Sequence, residues 1–296
     1  MSTPLPPASA GARLRQQLAA PGMRIAPGAY DGIGARLIEQ AGFGACYMTG
    51  AGTSAARGFP DFGLLTMSEM VENAAVMARS VQIPLIADAD TGYGNELNMT
   101  RTVREYEARG VAAIHIEDQV SPKRCGHLDG KEVISRDEFV SKVRAAVQAR
   151  RTPDFFLIAR TDARAMLGLE EALWRAEAAL DAGADMAFVE ATQSVEEAAL
   201  VPRRVKGACL LNVVPGGRTP VHDLRQAEEM GYKLAILPGL MLKAAIEAGD
   251  AALAEVKATM QAPTTSATVA QTFRRFGADE WDALRTRFNA GATIGA

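Results

Sequence analysis

Eight short apolar segments recur along the chain, and each is followed by a stretch with helical periodicity. The segments are centred near Ile25, Tyr47, Ile86, Ile114, Leu157, Phe188, Leu211 and Ile236. They are continuously apolar instead of alternating, which is typical of parallel strands that are buried on both faces. The stretches between them are long enough for crossover helices. The pattern therefore predicts an α/β protein built on a parallel sheet.

A glycine precedes four of these strands at the point where a helix would end. The four glycines are Gly42, Gly110, Gly183 and Gly231. Glycine suits the left-handed residue that ends a helix, so these positions support the count of strand and helix units. Eight units in about 240 residues fit a (β/α)8 TIM-type barrel better than an open doubly wound sheet.

The barrel leaves residues over at both ends of the chain. Residues 1–12 begin with a stretch rich in Pro, Ser and Ala and are expected to be a disordered tail, and residues 13–260 are assigned to the catalytic barrel. Residues 261–296 are assigned to a C-terminal helical extension, which exceeds what closing a barrel requires. Such a helix either packs on its own barrel or docks on another subunit.

Composition narrows the class of partner. The chain has 32 Lys and Arg against 35 Asp and Glu, so no basic excess points to nucleic acid. No apolar run approaches the ~18 residues that a membrane span needs. Cys46, Cys125 and Cys209 lie too far apart for a disulfide framework or a CxxC pair, which is typical of a cytoplasmic protein. The expected partner is a small molecule.

Polar residues end most of the apolar segments. They are Thr49, Gly50, Asp88, Asp90, Glu117, Asp118, Arg160, Asp162, Glu190 and Asn212. The carboxyl ends of barrel strands meet at one mouth, where active sites form, so we expect these residues around a common cavity. Asp61, in the loop after the second strand, is expected to join them.

Carboxylates gathered in one cavity repel one another and raise one another's pKa values. A hard divalent cation relieves that repulsion, and a set of oxygen donors without paired His or Cys favours Mg²⁺ or Mn²⁺ over zinc. The alternative is that some of these acids pair with Arg160 or cap the following helices. The metal hypothesis rests on Asp88, Asp90, Asp61 and Glu117.

The segment Asp118–Ser135 is long for a connection between a strand and a helix, and such loops are commonly lids. Cys125 lies at its centre. The residues around it are Lys123, Arg124, Gly126 and His127. Neighbouring cations favour a thiolate, so Cys125 is predicted to be reactive, whereas Cys46 and Cys209 lie in apolar strands and are expected to be inert.

Two further patterns resemble known motifs without completing them. The segment 50–55 has the GxGxxA form of a dinucleotide site, but Asp88 follows too late for the ribose contact. We interpret it as a tight loop that offers backbone N–H groups to a substrate carboxylate. His115 shares a strand face with Glu117 without a second His, so a packed histidine is the expected role.

Together, the motifs resemble the isocitrate lyase/phosphoenolpyruvate mutase superfamily. The similar branch is the short bacterial one with 2-methylisocitrate lyase, dimethylmalate lyase, oxaloacetate-cleaving enzymes and carboxyphosphonoenolpyruvate phosphonomutase. The motifs that carry the resemblance are PGAYDGIGARLIEQAGF (27–43), YMTGAGTSA (47–55), DADTGYGN (88–95), HIEDQVSPKRCGH (115–127), ARTDAR (159–164), FVEA (188–191) and NVVPGGRTP (212–220).

The resemblance implies a barrel whose eighth helix is exchanged between subunits, usually in a dimer of dimers. It implies a Mg²⁺ site at Asp88 and Asp90, with Asp61, Glu117 and Glu190 in or near its hydrated shell. The residues that it implies for substrate binding are Thr49, Gly50, Ala51, Cys125, Gly126, Arg160, Glu190 and Asn212. It also implies that Arg274 or Arg275 is a candidate to reach a neighbouring site.

The chemistry that the resemblance implies is retro-aldol cleavage of a 2-hydroxy di- or tricarboxylate to a 2-oxo acid, such as pyruvate, and a carboxylate such as succinate. In this scheme Mg²⁺ and Arg160 stabilise the developing oxyanion. Cys125 protonates the enolate as general acid, with His127 and Glu117 setting its environment. The acceptor of the hydroxyl proton stays open between Tyr47 and a metal-bound water.

The segment Pro215–Arg218 and Lys243 differ from the pattern of methylisocitrate lyases, and the double glycine at 216–217 is more similar to dimethylmalate lyase and the phosphonomutase. These differences weaken the case for the third carboxylate of 2-methylisocitrate. Alternatives on the same scaffold are oxaloacetate hydrolysis or decarboxylation and P–C bond chemistry, because all of them pass through a related enolate. A barrel that binds a ligand without catalysis is the non-enzyme alternative.

Overall fold

A computed structural model describes residues 8–290 of the 296-residue chain. Eight parallel strands close into a barrel in the order of the sequence. The strands are β1 (Arg24–Ala29), β2 (Cys46–Met48), β3 (Leu85–Asp88), β4 (Ala113–Glu117), β5 (Phe156–Thr161), β6 (Met186–Val189), β7 (Cys209–Asn212) and β8 (Leu234–Leu237). Each contains the centre of one predicted segment, so the predicted (β/α)8 barrel is confirmed.

Helices alternate with the strands. Those of the barrel are α1 (Ala10–Ala19), α2 (Gly32–Gln40), α3 (Gly50–Ala56), α4 (Met67–Ser80), α5 (Glu96–Ala108), α6 (Arg136–Ala149), α7 (Arg164–Leu167), α8 (Leu169–Asp181), α9 (Val195–Arg204) and α10 (Leu224–Met230). They are followed by α11 (Leu240–Thr259), α12 (Val269–Arg274) and α13 (Ala278–Ala290).

Local sequence signals begin and end these helices. Asp31, Asn95 and Ser135 each accept a hydrogen bond from a backbone N–H of the first turn that has no partner within the helix. Thr66 and Glu69 form a reciprocal capping box at the start of α4. The four glycines predicted to end helices have backbone φ angles of 79° to 105°, which confirms the left-handed conformation.

The interior of the barrel is filled by side chains. Ile86, Phe188 and Ile236 are at most 1% exposed and belong to a cluster that also contains Leu14 of α1. Two further apolar clusters lie between the strands and the surrounding helices. Because the interior is packed, polar chemistry is left to the rim at the carboxyl ends of the strands.

The structure places two boundaries differently from the sequence analysis. Helix α1 begins at Ala10, inside the predicted tail, because Ser9 caps it and Leu14 is completely buried. The rest of that tail, residues 1–7, lies outside the described residues. The chain divides into two compact units between Lys243 and Ala244, within α11, and not after residue 260.

The second unit consists of the rest of α11 with α12 and α13, and its described residues include no buried side chain. Its large apolar side chains are exposed: Ile246, Leu253, Val256, Met260, Val269, Phe273, Trp281 and Phe288. Within residues 8–290, none of the helices is long and apolar enough to cross a membrane.

Candidate active site

A cavity of about 110 Å³ opens at the carboxyl ends of the strands. It brings together most residues that the sequence analysis assigned to the site: Tyr47, Thr49, Ala51, Asp61, Asp88, Cys125, Gly126, His127, Arg160, Glu190 and Asn212. Gly50, Asp90 and Glu117 do not line the cavity. The lid, the strands β2, β3, β5 and β7 and the residues that follow β6 and β8 therefore contribute to one site.

Arg160, at the end of β5, is the central cation of the cavity. Its Nε and Nη2 donate to the two carboxylate oxygens of Asp162 at 2.8 and 3.1 Å. Nη2 also lies 3.2 Å from Glu190 Oε2, and Nε lies 3.2 Å from Glu117 Oε2. Burial alone would lower the pKa of Arg160, but these carboxylates raise it well above its usual value. The guanidinium is therefore permanently charged.

A second cation, Lys123, lies among the aspartates. Its Nζ is 2.5 Å from Asp61 Oδ1 and 3.1 Å from Asp90 Oδ1, and the residue is only 5% exposed. Burial raises the pKa of Asp90. Burial would also raise the pKa of Asp88, but nearby cations hold it below its usual value. The carboxylates thus carry unequal proton affinities although they share one cluster.

Whether a metal ion fits this cluster depends on buried oxygens that lack a hydrogen-bond partner among the described residues. Both Oε atoms of Glu117 and Oδ1 of Asp90 are buried and, within the described part of the chain, lack a partner with hydrogen-bond geometry. Burial raises the pKa of Glu117 well above its usual value.

No three His, Cys, Asp or Glu side chains among residues 8–290 are grouped to hold an ion directly. Mg²⁺ usually keeps several waters and takes one or two carboxylates. The donors therefore fit a hydrated Mg²⁺.

Tyr47 and His115 form a buried pair beside Asp88. The Tyr47 hydroxyl lies 2.6 Å from His115 Nε2 and 3.5 Å from Asp88 Oδ2, and the rings of Tyr47 and His115 are stacked. His115 also packs edge-on against Phe188, as a packed histidine would. Burial lowers the pKa of His115 to about 4 and raises that of Tyr47 well above its usual value. Both rings are therefore uncharged at neutral pH.

The segment after β2 is a helix start and not the tight loop that we expected. Thr49 is the N-cap of α3, and its Oγ1 accepts from the backbone N–H of Gly52. The N–H of Gly50 donates to Asp88 Oδ2 at 3.1 Å. A Cβ on Gly50 would lie 2.5 Å from that same oxygen, so only glycine fits here. Ala51 faces the cavity beside these residues.

Cys125 is partly buried in the lid, and its backbone N–H donates to the carbonyl of Asp61 at 3.1 Å. Burial, with Asp61 nearby, raises the pKa of the Cys125 thiol. The expected thiolate does not result, because burial outweighs the lowering of the pKa by Lys123 and Arg160, and Arg124 turns away to the carbonyl of Asp129. A protonated thiol is therefore presented to the cavity.

His127 is held in one orientation by the loop after β7. Its Nδ1 accepts from the backbone N–H of Arg218 at 3.0 Å. Because a backbone amide only donates, the proton of the neutral ring lies on Nε2, which is 3.5 Å from Glu190 Oε1. Asn212 donates to Glu190 Oε2 at 2.9 Å. Burial lowers the pKa of His127, so the ring is neutral.

The structure adds residues to which the sequence analysis gave no role in the site. Lys123 was noted only as a neighbour of Cys125, and Asp162 only as a polar residue at the end of a strand. Lys131 and the apolar wall of Val214 and Leu242 were not noticed at all. The position of Asp162 at a strand end was a usable signal. No signal in the sequence shows that Lys123 contacts Asp61, 62 positions away.

Comparisons with characterised proteins agree with this arrangement. The chain is 48% identical to 2,3-dimethylmalate lyase of Eubacterium barkeri over 238 residues, which cover 80% of this chain and 82% of that protein. It is 44% identical to 2-methylisocitrate lyase of Aeropyrum pernix over 246 residues, covering 83% and 79%.

Solved structures show the same likeness. A crystal structure of 2,3-dimethylmalate lyase matches with a TM-score of 0.92 and 42% identity, over 98% of this chain and 99% of that one. Oxaloacetate acetylhydrolase with 3,3-difluorooxalacetate matches with a TM-score of 0.90 and 39% identity, over 97% and 99%. Phosphonopyruvate hydrolase with oxalate and Mg²⁺ matches with a TM-score of 0.83 and 30% identity, over 95% and 99%.

The family model for phosphoenolpyruvate phosphomutase matches residues 14–257, which is most of the chain. The resemblance found in the sequence is thereby confirmed. The chain belongs to the phosphoenolpyruvate mutase/isocitrate lyase superfamily and is an enzyme of that superfamily.

Proposed function

We propose that the protein is a Mg²⁺-dependent carbon–carbon lyase that cleaves a 2-hydroxy di- or tricarboxylate to a 2-oxo acid and a second carboxylate. One observation carries the proposal. A protonated Cys125 thiol is held by the lid over a cavity that also contains Arg160 and a carboxylate cluster. This arrangement matches the needs of a reaction that generates a carbanion next to a carboxylate and then protonates it.

Asp88 and Asp90 would hold Mg²⁺, with Asp61 and Glu117 in contact with its waters. Mn²⁺ meets the same oxygen donors. When bound, the ion supplies Lewis-acid stabilisation of an alkoxide or enolate oxygen. Support comes from the buried oxygens of Glu117 and Asp90, which lack a partner with hydrogen-bond geometry within the described chain although cations lie near them, and from the Mg²⁺ in the related phosphonopyruvate hydrolase.

Arg160 binds and orients the substrate carboxylate, and Glu190 and Asn212 line the cavity beside it. Their mutual hydrogen bond of 2.9 Å keeps both side chains in place before substrate arrives. Thr49, Gly50 and Ala51 complete the binding surface at the start of α3. Preorganised donors of this kind stabilise developing charge without reorganising during the reaction.

Cys125 acts as the general acid, since a thiol with a raised pKa keeps its proton until a strongly basic carbanion forms. Neutral His127 and the peptide of Gly126 position it within the closed lid. The high pKa of Tyr47 argues against a phenolate base. The Tyr47 hydroxyl instead accepts or donates a hydrogen bond at the reacting oxygen, with His115 behind it at 2.6 Å.

A 2-alkylmalate such as 2,3-dimethylmalate fits the cavity better than 2-methylisocitrate. Val214 and Leu242 form an apolar wall that suits alkyl groups. Among the described residues that line the cavity, the two permanent cations, Lys123 and Arg160, are already paired with carboxylates. A third substrate carboxylate would therefore lack a free partner. The relative from Eubacterium barkeri, a 2,3-dimethylmalate lyase, supports the same substrate.

Oxaloacetate hydrolysis is the second candidate, and the small cavity favours it. A volume of about 110 Å³ suits a compact dicarboxylate, and the oxaloacetate acetylhydrolase structure is similar over 97% of the chain. Decarboxylation of oxaloacetate and P–C bond chemistry would use the same metal site. Decarboxylation would also leave a pyruvate enolate for Cys125 to protonate, whereas phosphoryl migration gives the thiol no such task, so P–C bond chemistry ranks lower.

The enzyme is proposed to work as a homo-oligomer, a dimer of dimers in which the C-terminal unit is exchanged between subunits. The exposed apolar side chains of α11, α12 and α13 support this assembly. A site that depends on a free thiol also suits a reducing compartment, so a cytoplasmic location is proposed.

The test is release of 2-oxo acid, coupled to lactate dehydrogenase, from 2,3-dimethylmalate, 2-methylisocitrate, isocitrate and oxaloacetate, with Mg²⁺ or EDTA. We expect pyruvate from an alkylmalate, loss of activity in EDTA, and a fall of at least ~10²-fold in Cys125→Ser. Cys209→Ser makes the same chemical change in β7, outside the cavity, and should retain activity. No metal-dependent release from any C–C substrate would refute the lyase and favour oxaloacetate hydrolysis, followed by acetate release.

A further inference from the structure

The lid contains a buried lysine, Lys131, six residues after Cys125. Lys131 is 6% exposed although it belongs to a surface loop. Its Nζ donates to the carbonyl oxygen of Gly126 and lies 3.2 Å from Asp162 Oδ1. Lysine is almost never buried unless its ammonium is paired. The two contacts therefore account for the burial of Lys131: the one with Gly126 joins two parts of the lid, and the one with Asp162 ties the lid to the barrel.

Asp162 is a rigid attachment point for this lysine. Both of its carboxylate oxygens accept from Arg160, and its backbone N–H donates to Asp118 Oδ1 at 2.8 Å. Asp118 is itself held by Thr161 at 2.6 Å and by Arg175 at 3.1 Å. All of these side chains are buried. Lys131 therefore links the lid to a fixed part of the barrel rim.

The peptide that Lys131 holds is the one next to the reactive thiol. Gly126 follows Cys125 directly, and it lies so close to the cavity that a Cβ would come 2.3 Å from Arg160 Nη2 and 2.7 Å from Glu190 Cγ. A small movement of this peptide therefore moves the thiol relative to the substrate. General acid catalysis depends on placing the donor within hydrogen-bond reach of the reacting atom.

We propose that Lys131 is a positioning residue, which seats Cys125 by fastening the Gly126 peptide to Asp162. Because Asp162 also binds Arg160, the same carboxylate joins the closed lid to the guanidinium that faces the substrate. The catalytic consequence rests on the proposed function, whereas the position of the lid does not.

The outer attachment of the lid is weaker than this inner one. Arg218 donates to the carbonyl of His127 at 3.1 Å and to Asp129 Oδ1 at 2.5 Å. The Asp129 side chain is 91% exposed, and such ion pairs contribute little to stability. Removing one partner of a buried pair leaves an uncompensated buried charge and costs far more. Lys131 is therefore a stronger fastening of the lid than Arg218, and it acts beside the contacts that Lys123 and the Cys125 N–H make with Asp61.

The first experiment measures how fast iodoacetamide alkylates Cys125, followed by peptide mass spectrometry, with and without Mg²⁺ and oxalate. The variants are Lys131→Met, Lys131→Arg and the matched control Glu132→Gln, which removes an exposed charge from the next lid residue. We expect Lys131→Met to speed alkylation by about tenfold, because a lost hydrogen bond to a charged group favours local opening by about that factor. Lys131→Arg should restore most of the protection, and Glu132→Gln should match wild type.

Cys46 and Cys209 serve as internal controls, since both are buried in strands. A Lys131→Met rate within about twofold of Glu132→Gln would overturn the proposal. Faster alkylation of Cys46 and Cys209 as well would show general unfolding and would overturn it too.

The second readout is turnover of the substrate that the panel identifies, where Lys131→Met should lower kcat more than it raises KM. If wild type turns over no substrate, the proposed function fails, and the alkylation rates still decide the role of Lys131.

Discussion

Burial keeps Cys125 and His127, two side chains of the lid that line the cavity, uncharged. It raises the pKa of the Cys125 thiol and lowers the pKa of the His127 imidazole, so neither group is ionised at neutral pH. Enzymes that use cysteine as a nucleophile need the opposite arrangement, a thiolate beside a cation. The environment of Cys125 therefore suits a proton donor, and this residue-level distinction separates a lyase from a thiol-dependent acyl transferase.

The pKa of His127 should lie below 6.5, and the neutral ring should carry its proton on Nε2. Its lowered pKa means that the unfolded chain takes up a proton first as the pH falls. The contribution to stability is therefore complete above pH 6.5 and is lost as the pH falls toward the folded pKa. Nitrogen-15 spectra of the imidazole, with the exposed His222 as reference, check both points. A neutral form protonated on Nδ1 would contradict the contact with Arg218.

Glu117→Gln should abolish stabilisation by Mg²⁺ without harming the metal-free protein. Burial raises the pKa of Glu117 well above its usual value, and within the described chain neither of its oxygens has a partner with hydrogen-bond geometry, although Oε2 lies 3.2 Å from Arg160 Nε. Arg160 keeps Asp162 and Glu190 as partners, so a neutral amide at position 117 should leave the metal-free melting temperature unchanged or higher. At 100 times its Kd, Mg²⁺ should stabilise wild type by about 2.7 kcal/mol. Thermal melts with and without Mg²⁺ measure this, with Glu132→Gln as control. A wild-type Mg²⁺ shift in Glu117→Gln would remove Glu117 from the metal site.

At the scale of elements, periodicity alone located the strands and the polar residues at their ends. Continuous apolar runs identify β3 and β4 because each strand is buried on both faces, by the packed barrel interior on one side and by helices on the other, and topology then brings Asp88 and Glu117 to one rim. The short helix α3 was missed because GAGTSAA has the glycines and hydroxyl residues of a loop. Thr49 caps the start of that helix, but a threonine followed by glycines is equally common in loops, so the local sequence does not decide between the two.

The contacts of the lid are the part of the site that the sequence does not reveal. Lys123 contacts Asp61 across 62 positions, and Arg218 contacts His127 across 91. Such pairings depend on how two loops meet above the barrel, and neither loop has a repeating pattern that would fix its path. Length and composition identify the lid, whereas its closed geometry depends on tertiary contacts alone.

Gly126→Ala should prevent the lid from closing while the barrel stays folded. The added Cβ would come 2.3 Å from Arg160 Nη2 and 2.7 Å from Glu190 Cγ, and the second of these is not the free end of a flexible chain. We expect a loss of at least ~10²-fold in kcat/KM, since misplacement by about 1 Å costs that much.

The melting temperature and the alkylation rate of Cys125 test the cause of this loss. An unchanged melting temperature with faster alkylation is the expected pair of results for Gly126→Ala. Full activity of Gly126→Ala would contradict the predicted clash of the added Cβ with Arg160 and Glu190.

At the scale of the molecule, the boundary between the two compact units falls within a single helix. Helix α11 is continuous from Leu240 to Thr259, yet the compact barrel unit ends at Lys243. The sequence shows one helical pattern through this point, so it predicts the helix and not the division. What distinguishes the second unit is exposure, because Leu253, Phe273 and Trp281 are each at least 60% exposed.

The proposed oligomer makes these exposed side chains the interface. Trp281 and Phe288 are seven residues apart on α13, so they share one face of the helix, and they are 71% and 68% exposed. Burying each ring in an interface is worth about 1.5–3 kcal/mol. Changing both rings to serine should therefore weaken assembly strongly and leave the barrel folded.

Light scattering after size exclusion measures the mass of wild type and of the double variant Trp281→Ser/Phe288→Ser. Wild type should have a mass that is a multiple of the 31.4 kDa chain, and the variant should shift toward a single chain. Asp282→Ser, at an exposed polar position about 100° around the helix from Trp281 and so off that face, is the matched control and should keep the wild-type mass. A monomeric wild type, or a double variant that keeps its full mass, would refute an interface built on α13. If dissociation also removes turnover, the active site depends on the assembly, because neither aromatic residue lines the cavity.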